Sequence, residues 1–194
     1  KNLIILDHPI VQRDVTLLRD RRTSSNQFRA ILRRVSALMA FEVTADLPLR
    51  SVTVRSPLAK TKGSVLVRPV VLVPILRAGL GLVGGFVEVL PDSRVGHIGL
   101  YRDEHSLKPV DYYFKVPRNI REAMVFLLDP MLATGGSAAA ALTDLKKQGA
   151  KTLVCVTLVA APEGVRRVHR EHPEVKIYTC ALDKKLDSRG YILP

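Results

Sequence analysis

The stretch with the clearest chemical potential is VFLLDPMLATGGS, residues 125–137, in which an apolar run ends at an acid, passes through a loop of small residues and enters a helix. A turn of this kind aims consecutive backbone amides from Ala133 to Ser137 outward. The helix dipole and the hydroxyls of Thr134 and Ser137 add to its attraction for an anion such as a terminal phosphate. Gly135 and Gly136 allow a close backbone approach that a Cβ would block. Asp129, just ahead of the loop, is placed to accept hydrogen bonds from sugar hydroxyls. Taken alone, Thr-Gly-Gly-Ser is equally an ordinary helix start, since short glycine motifs match by chance often.

A second candidate is PILRAGLGLVGG, residues 74–85. Gly79, Gly81 and Gly84 spell G-x-G-x-x-G after a strand, and Asp103 falls near where a ribose-binding acid would stand in a dinucleotide site. Two features oppose that reading. Five residues, Pro74 to Ala78, separate the apolar run from Gly79, whereas the fingerprint needs a turn directly off the strand. Arg77 also stands in the loop, where it is better suited to pair with phosphate oxygens than to line a turn that works through backbone amides. No GxxxxGK[ST] string is present, which argues against a nucleoside triphosphatase.

These loops need elements to hold them. Residues 26–44 place Phe28, Ile31, Leu32, Val35, Leu38 and Met39 at a helical period, with Ser24, Ser25 or Asn26 available as the cap. Beyond Pro48 the pattern becomes short β-rich pieces, Ser51 to Arg55 and Ser64 to Arg68, expected to form a small hairpin. Apolar strands at 70–73, 95–101, 125–129 and 152–160 then alternate with helices to about Leu90 and from Ser137 to Gln148. That alternation predicts an α/β fold: a mostly parallel twisted sheet flanked by helices, with ligands at the carboxyl ends of the strands. The polar segment from Arg102 to Lys115 suits a mobile lid.

With 194 residues and 47% hydrophobic content, the chain is expected to be one domain, its N-terminal helices and hairpin (1–68) packed on a core (69–194). No apolar run is long enough to span a membrane and the start lacks a signal-peptide pattern, so the expectation is a soluble cytoplasmic protein. Cys155 and Cys180 sit singly in apolar stretches, as core residues do. His169 and His172 are three apart, without an HExxH pattern or a second ligand pair to make a metal site. A net charge of +12 points to polyanionic partners. Arg22, Arg29 and Arg33 at helical spacing form either an RNA-binding stripe or, more usually, a solvated helix face.

At these residues the sequence resembles the uracil phosphoribosyltransferases, within the type I phosphoribosyltransferase family. The resemblance runs through DHP (7–9), LRD (18–20), PILRAGLG (74–81), YRDE (101–104), LLDPMLATGGS (127–137), AAPEG (160–164) and GYILP (190–194). Most type I relatives carry two adjacent acids where this chain has Asp129 followed by Pro130. The resemblance implies transfer of a phosphoribosyl group from phosphoribosyl pyrophosphate (PRPP) to uracil, giving UMP and pyrophosphate. It implies that Asp129 holds the ribose hydroxyls and that Pro130, Met131 and Leu132 lead into a 5′-phosphate cradle of Ala133, Thr134, Gly135, Gly136 and Ser137. Arg77, Ala78 and Gly79 would grip pyrophosphate, Arg102 would join from the mobile loop, and Tyr191 and Ile192 would border the uracil pocket.

Magnesium would travel with the pyrophosphate and touch the protein mainly through water. The resemblance further implies a homodimer or larger homo-oligomer and, as in some members, activation by GTP. Members continue past GYILP with a glycine-rich G-L-G-D-A-G-D segment that completes the uracil and donor sites. For a chain ending at Pro194 the expectation is donor binding with poor discrimination among bases. Two other readings remain open at this point: a related RNA-binding regulator, on the basic helix and the net charge, and a nicotinamide-dependent dehydrogenase, on the glycine pattern at 79–84.

Overall fold

The computed structural model describes residues 2–102 and 109–194, with backbone alone at 101, 102 and 109–111. The chain opens with β1 (Leu3–Ile5) and α1 (Pro9–Arg19), whose proline stands in the first turn, where a missing N–H costs nothing. α2 (Ser25–Val43) begins in a capping box: Ser24 Oγ accepts from the Gln27 amide at 3.4 Å, and Gln27 Oε1 accepts from the Ser24 amide at 3.1 Å. Its buried stripe of Ile31, Leu32, Val35 and Met39 follows the period read from the sequence.

The hairpin forms, but one of its strands is displaced from the expected position. β2 (Leu49–Arg55) pairs antiparallel with β3 (Lys60–Leu66), and Gly63 lies inside the second strand opposite Val52. The reversal falls at Ser56 and Pro57, a strong turn pair. Ser56 Oγ donates to Ala59 O at 2.8 Å and accepts from the Ala59 amide at 3.0 Å.

Next come β4 (Val70–Leu76), α3 (Leu80–Val89), β5 (Arg94–Val95), β6 (His97–Arg102) and β7 (Pro109–Lys115). They are followed by β8 (Met124–Leu128), β9 (Met131–Leu132), α4 (Gly136–Lys147), β10 (Thr152–Ala160), α5 (Pro162–Glu171) and β11 (Lys176–Leu182). A last ribbon joins β12 (Lys185–Leu186) to β13 (Ile192–Leu193). Among the described residues the central sheet runs β1-β11-β10-β8-β4-β6-β7, with β5 added to β4 and β9 to β10. Every pairing in it is parallel except β6 with β7. β4, β8 and β10 are buried almost throughout, as their unbroken apolar runs require of strands covered on both faces.

The helices divide between the two faces. α1, α2 and α3 pack on one, where Phe86 and Phe126 meet with ring centroids 6.2 Å apart. α4 and α5 pack on the other, over Val73, Leu127, Cys155 and Ile177. Each fully buried large side chain in these layers contributes roughly 1.5–3 kcal/mol through removal from water. The division has a functional consequence, because β4 and β8 are neighbours, with Pro74 beside Leu128, yet the helices that follow them cover opposite faces. Their carboxyl ends therefore diverge and leave a crevice, the switch point at which open α/β sheets bind ligands.

Of the polar segment expected as a lid, the described part is strand, longer than the short β-like stretch the sequence suggests at 111–115. β7 occupies 109–115 and pairs with β6, while residues 103–108 lie outside the described residues.

The basic N-terminal region is mostly committed to internal pairs. Arg34 makes a two-pronged contact with the fully buried Asp14, at 2.6 and 2.9 Å, which Arg13 joins from α1. Arg34 first, and Arg13 after it, hold the Asp14 carboxyl below its ordinary value against the opposing effect of burial. Arg33 pairs with Glu88, Arg19 with Asp183, and Arg22 with Asp20. Arg22 precedes α2, so it does not share a helix with Arg29 and Arg33. This distribution does not support an RNA-binding stripe.

Candidate active site

The segment after β8 is strapped to β10. The Asp129 amide donates to Val156 O at 3.1 Å, and Pro130 O accepts from Leu158 and Val159 at 3.1 and 3.0 Å. The buried Thr157 hydroxyl accepts from the Leu132 amide at 3.2 Å and donates to Val159 O at 3.0 Å. Leu132 O in turn accepts from Ala161 at 2.9 Å. Pro130, Met131 and Leu132 therefore have little freedom, and the loop that follows starts from a fixed position.

That loop differs in one respect from the sequence expectation. The Ala133 amide turns back to Met131 O at 3.0 Å instead of facing outward, because β9 must reverse there to enter α4. Among the described residues, the amides of Thr134, Gly135, Ser137 and Ala138 have no protein acceptor, and the Gly136 amide has only the Thr134 hydroxyl at 3.5 Å. These donors sit at the positive end of α4 and form a cradle for an anion.

Gly135 has φ +74°, a left-handed conformation that L side chains avoid, and a Cβ there would meet Gly164 O at 2.7 Å. A Cβ on Gly164 would in turn meet Ala133 O at 2.5 Å. α5 is thus pressed directly against the loop.

Asp129 is half-buried at the mouth of the crevice. Burial pushes its carboxyl up to about 6, partly offset by a hydrogen bond from the Met131 amide. A carboxylate so poorly compensated would gain from hydroxyl donors or a hydrated cation. Cys155 lies behind it in β10; burial, and then the nearby Asp129 charge, push its thiol far up, leaving it inert. Burial alone pushes Cys180 up to about 12.

Across the crevice, β4 runs to Leu76, so two residues rather than five precede Gly79. The spacing argument against a dinucleotide turn therefore fails, and packing replaces it. Gly79 donates to Ile75 O at 2.9 Å, and a Cβ there would stand 2.4 Å from Leu128 O, which pins this loop to the end of β8. Gly81 makes room for Leu32 of α2, and Gly84 has nothing within 4 Å of a Cβ position. The three glycines thus have unrelated surroundings and form no single phosphate turn. Arg77 and Ala78 are exposed, and the Arg77 side chain has no partner among the described residues. The Leu76–Arg77 peptide is cis.

Arg102 is the last residue of β6, which neighbours β4 through Ile75 with Ile98 and Leu76 with Gly99. Its backbone therefore continues past the edge on which Arg77 stands.

Tyr191 and Ile192 lie on the terminal ribbon. Asp187 closes it by accepting from the Arg189 and Tyr191 amides at 2.9 and 2.8 Å. Glu163 Oε1, on the first turn of α5, accepts from the Leu186 amide at 3.3 Å. Since Gly164 touches the cradle, α5 links the ribbon to the anion site. Tyr191 is 68% exposed.

His172 is buried, with Nε2 2.9 Å from Ala139 O and Nδ1 2.7 Å from Lys146 Nζ, so it braces α4. No three His, Cys, Asp or Glu side chains converge among the described residues.

Sequence reasoning missed Thr157, Glu163 and Gly164, although AAPEG carried a visible signal: a glycine two residues after a helix-starting proline, where close contact is a common reason for it.

A parallel sheet with an anion cradle at its switch point is the architecture of the type I phosphoribosyltransferases. The fold superposes on a hypoxanthine phosphoribosyltransferase of Trypanosoma cruzi with a TM-score of 0.56, at 16% identity, over 81% of this chain and 75% of that one. It superposes on an Aquifex aeolicus protein with a TM-score of 0.93, at 34% identity, over 98% and 91% of the two chains. The family model for uracil phosphoribosyltransferase matches residues 5–194. A uracil phosphoribosyltransferase of Thermoanaerobacter sp. is 49% identical over 195 residues, covering 100% of this chain and 93% of that one. The chain belongs to the uracil phosphoribosyltransferase family.

Proposed function

We propose that this chain transfers the phosphoribosyl group of PRPP to uracil, releasing pyrophosphate and forming UMP. Beside family membership, the observation that carries the reading is the crevice itself, with outward amides at the start of α4, Asp129 at its mouth and Arg77 on the facing loop. The C1′–oxygen bond to pyrophosphate breaks with its electron pair leaving on oxygen, a bond from C1′ to uracil N1 forms, and the N1 proton is released. As the ribosyl carbon becomes cation-like, the work left to the protein is electrostatic and positional.

Thr134 to Ser137 fix the 5′-phosphate, Asp129 accepts from the ribose hydroxyls, and Arg77 with Ala78 and Gly79 holds pyrophosphate. The family resemblance assigns Arg102, whose backbone ends β6, to the same group. Tyr191 and Ile192 border uracil, which the ribbon's backbone groups recognise. Magnesium, when bound with pyrophosphate, neutralises charge on the leaving group. It suits a site offering one carboxylate, since this ion retains much of its water. A homo-oligomeric assembly, GTP as an effector and a cytoplasmic location complete the reading and are supported by the family resemblance.

The experiment is UMP formation from PRPP and labelled uracil with magnesium, beside cytosine, orotate, hypoxanthine and adenine. Turnover of uracil alone is expected. Turnover of a purine, or of no base despite PRPP binding, would overturn the assignment.

A further inference from the structure

Arg167 stands on α5, a turn beyond the glycine that touches the cradle, and its side chain is 38% exposed. A Cβ built on Gly136, the first residue of α4, would lie 3.0 Å from Arg167 Nη1 and 3.7 Å from the Thr134 hydroxyl. The guanidinium therefore flanks the first turn of α4 on the side of the cradle hydroxyl. Its Nε donates to Glu171 Oε1 at 3.1 Å, and among the described residues neither Nη group has an acceptor.

The placement has the wrong sign for a helix end. The start of α4 already carries partial positive charge, so a cation beside it is repelled, and Glu171, four residues along α5, offsets this only at Nε. An anion in the cradle would remove the repulsion from both. A phosphate monoester has three terminal oxygens, more than the few free amides of one turn can satisfy, and guanidinium Nη groups form strong charge-assisted bonds to such oxygens.

We propose that Arg167 is a further binding residue for the 5′-phosphate monoester, closing the cradle from the α5 side. This deepens the reading above, in which that phosphate belongs to PRPP and UMP. It also gives one atom of that site a side-chain charge that the backbone loop does not provide.

The test uses ribose 5-phosphate, which carries the monoester without base or pyrophosphate, with ribose as the blank and binding read by calorimetry. Wild type is expected to bind ribose 5-phosphate and not ribose, Arg167→Met to weaken that binding about tenfold, a loss typical of one charged hydrogen bond. Arg166→Met, on the exposed neighbour, should leave it unchanged. In steady-state assays Arg167→Met should raise the PRPP KM and the UMP inhibition constant to a similar degree while leaving inhibition by pyrophosphate alone. Equal binding by wild type and Arg167→Met, no ribose 5-phosphate binding by wild type, or a parallel loss for pyrophosphate would each overturn the proposal. Because the calorimetry needs no turnover, a wild type that binds ribose 5-phosphate without making UMP would sink the functional reading and leave this one standing.

Discussion

The two loops that face each other across the crevice are built on opposite plans. On the β8 side, Asp129 to Leu132 is tied to β10 at nearly every residue, and what it offers is mainly backbone amides at a helix start. On the β4 side, the loop is pinned by Gly79 alone and presents a solvent-exposed arginine with no partner among the described residues. On the proposed function, one side would recognise by fixed geometry and the other by a solvent-exposed charge. A phosphate that stays with the product suits the first, and a leaving group whose charge grows during the reaction suits the second.

The comparison predicts its sharpest break at Arg77. Arg77→Ala should cut kcat by about 10²–10³, the range seen when one donor to a developing negative charge is lost. Its melting temperature should stay at the wild-type value, since that side chain is exposed and has no partner among the described residues. A large drop in melting temperature measured alongside the kinetics would contradict the contrast. Gly135→Ala should act in the other way, through structure. A left-handed backbone and contact with Gly164 O together cost on the order of 1–3 kcal/mol, so the PRPP KM should rise by about tenfold or more as the melting temperature falls.

Asp129 sharpens the contrast through pH. Burial pushes its carboxyl up to about 6, and the ionised form is the stronger acceptor for hydroxyl donors, so kcat/KM for PRPP should fall as pH drops through that value. Asp129→Asn should flatten that limb of the profile. Stability carries the opposite sign. A folded value raised above the ordinary 3.8 makes the ionised group a cost that is present in full above about pH 6 and absent below about pH 4. Chemical denaturation should therefore find Asp129→Asn more stable than wild type at pH 8 and no more stable at pH 3.5.

The smallest effect belongs to Gly84. With open space at its Cβ position inside α3, Gly84→Ala should leave turnover unchanged and stabilise by about 0.5–1 kcal/mol, as removal of a helix glycine does. Lost activity there would revive the glycine pattern as a ligand turn.

Much of this could be read from the sequence because it is local. The apolar runs at 70–73 and 152–160 have no other stable use than buried strands, and a strand entering T-G-G-S carries its own geometry. The extension of β4 through Pro74, Ile75 and Leu76 was hidden because a proline within a run argues against a strand; here Pro74 stays in register with Leu128 of β8. The inward turn of the Ala133 amide follows the pairing of β9 with β10, Met131 with Val159, 28 residues away in sequence, and no window around Ala133 contains that information. The links made by Thr157, Glu163 and Arg167 are likewise tertiary. Residue type alone reveals none of them; position makes them supports or neighbours of the site.

The contact between Gly135 and Gly164 also bears on how this protein can change. A side chain at either position would strike the backbone of the loop pair, so neither site can drift while the other waits. Variation in this enzyme should instead accumulate on the terminal ribbon around the exposed Tyr191. A laboratory search for altered base preference would do well to randomise that ribbon and leave the two glycines untouched.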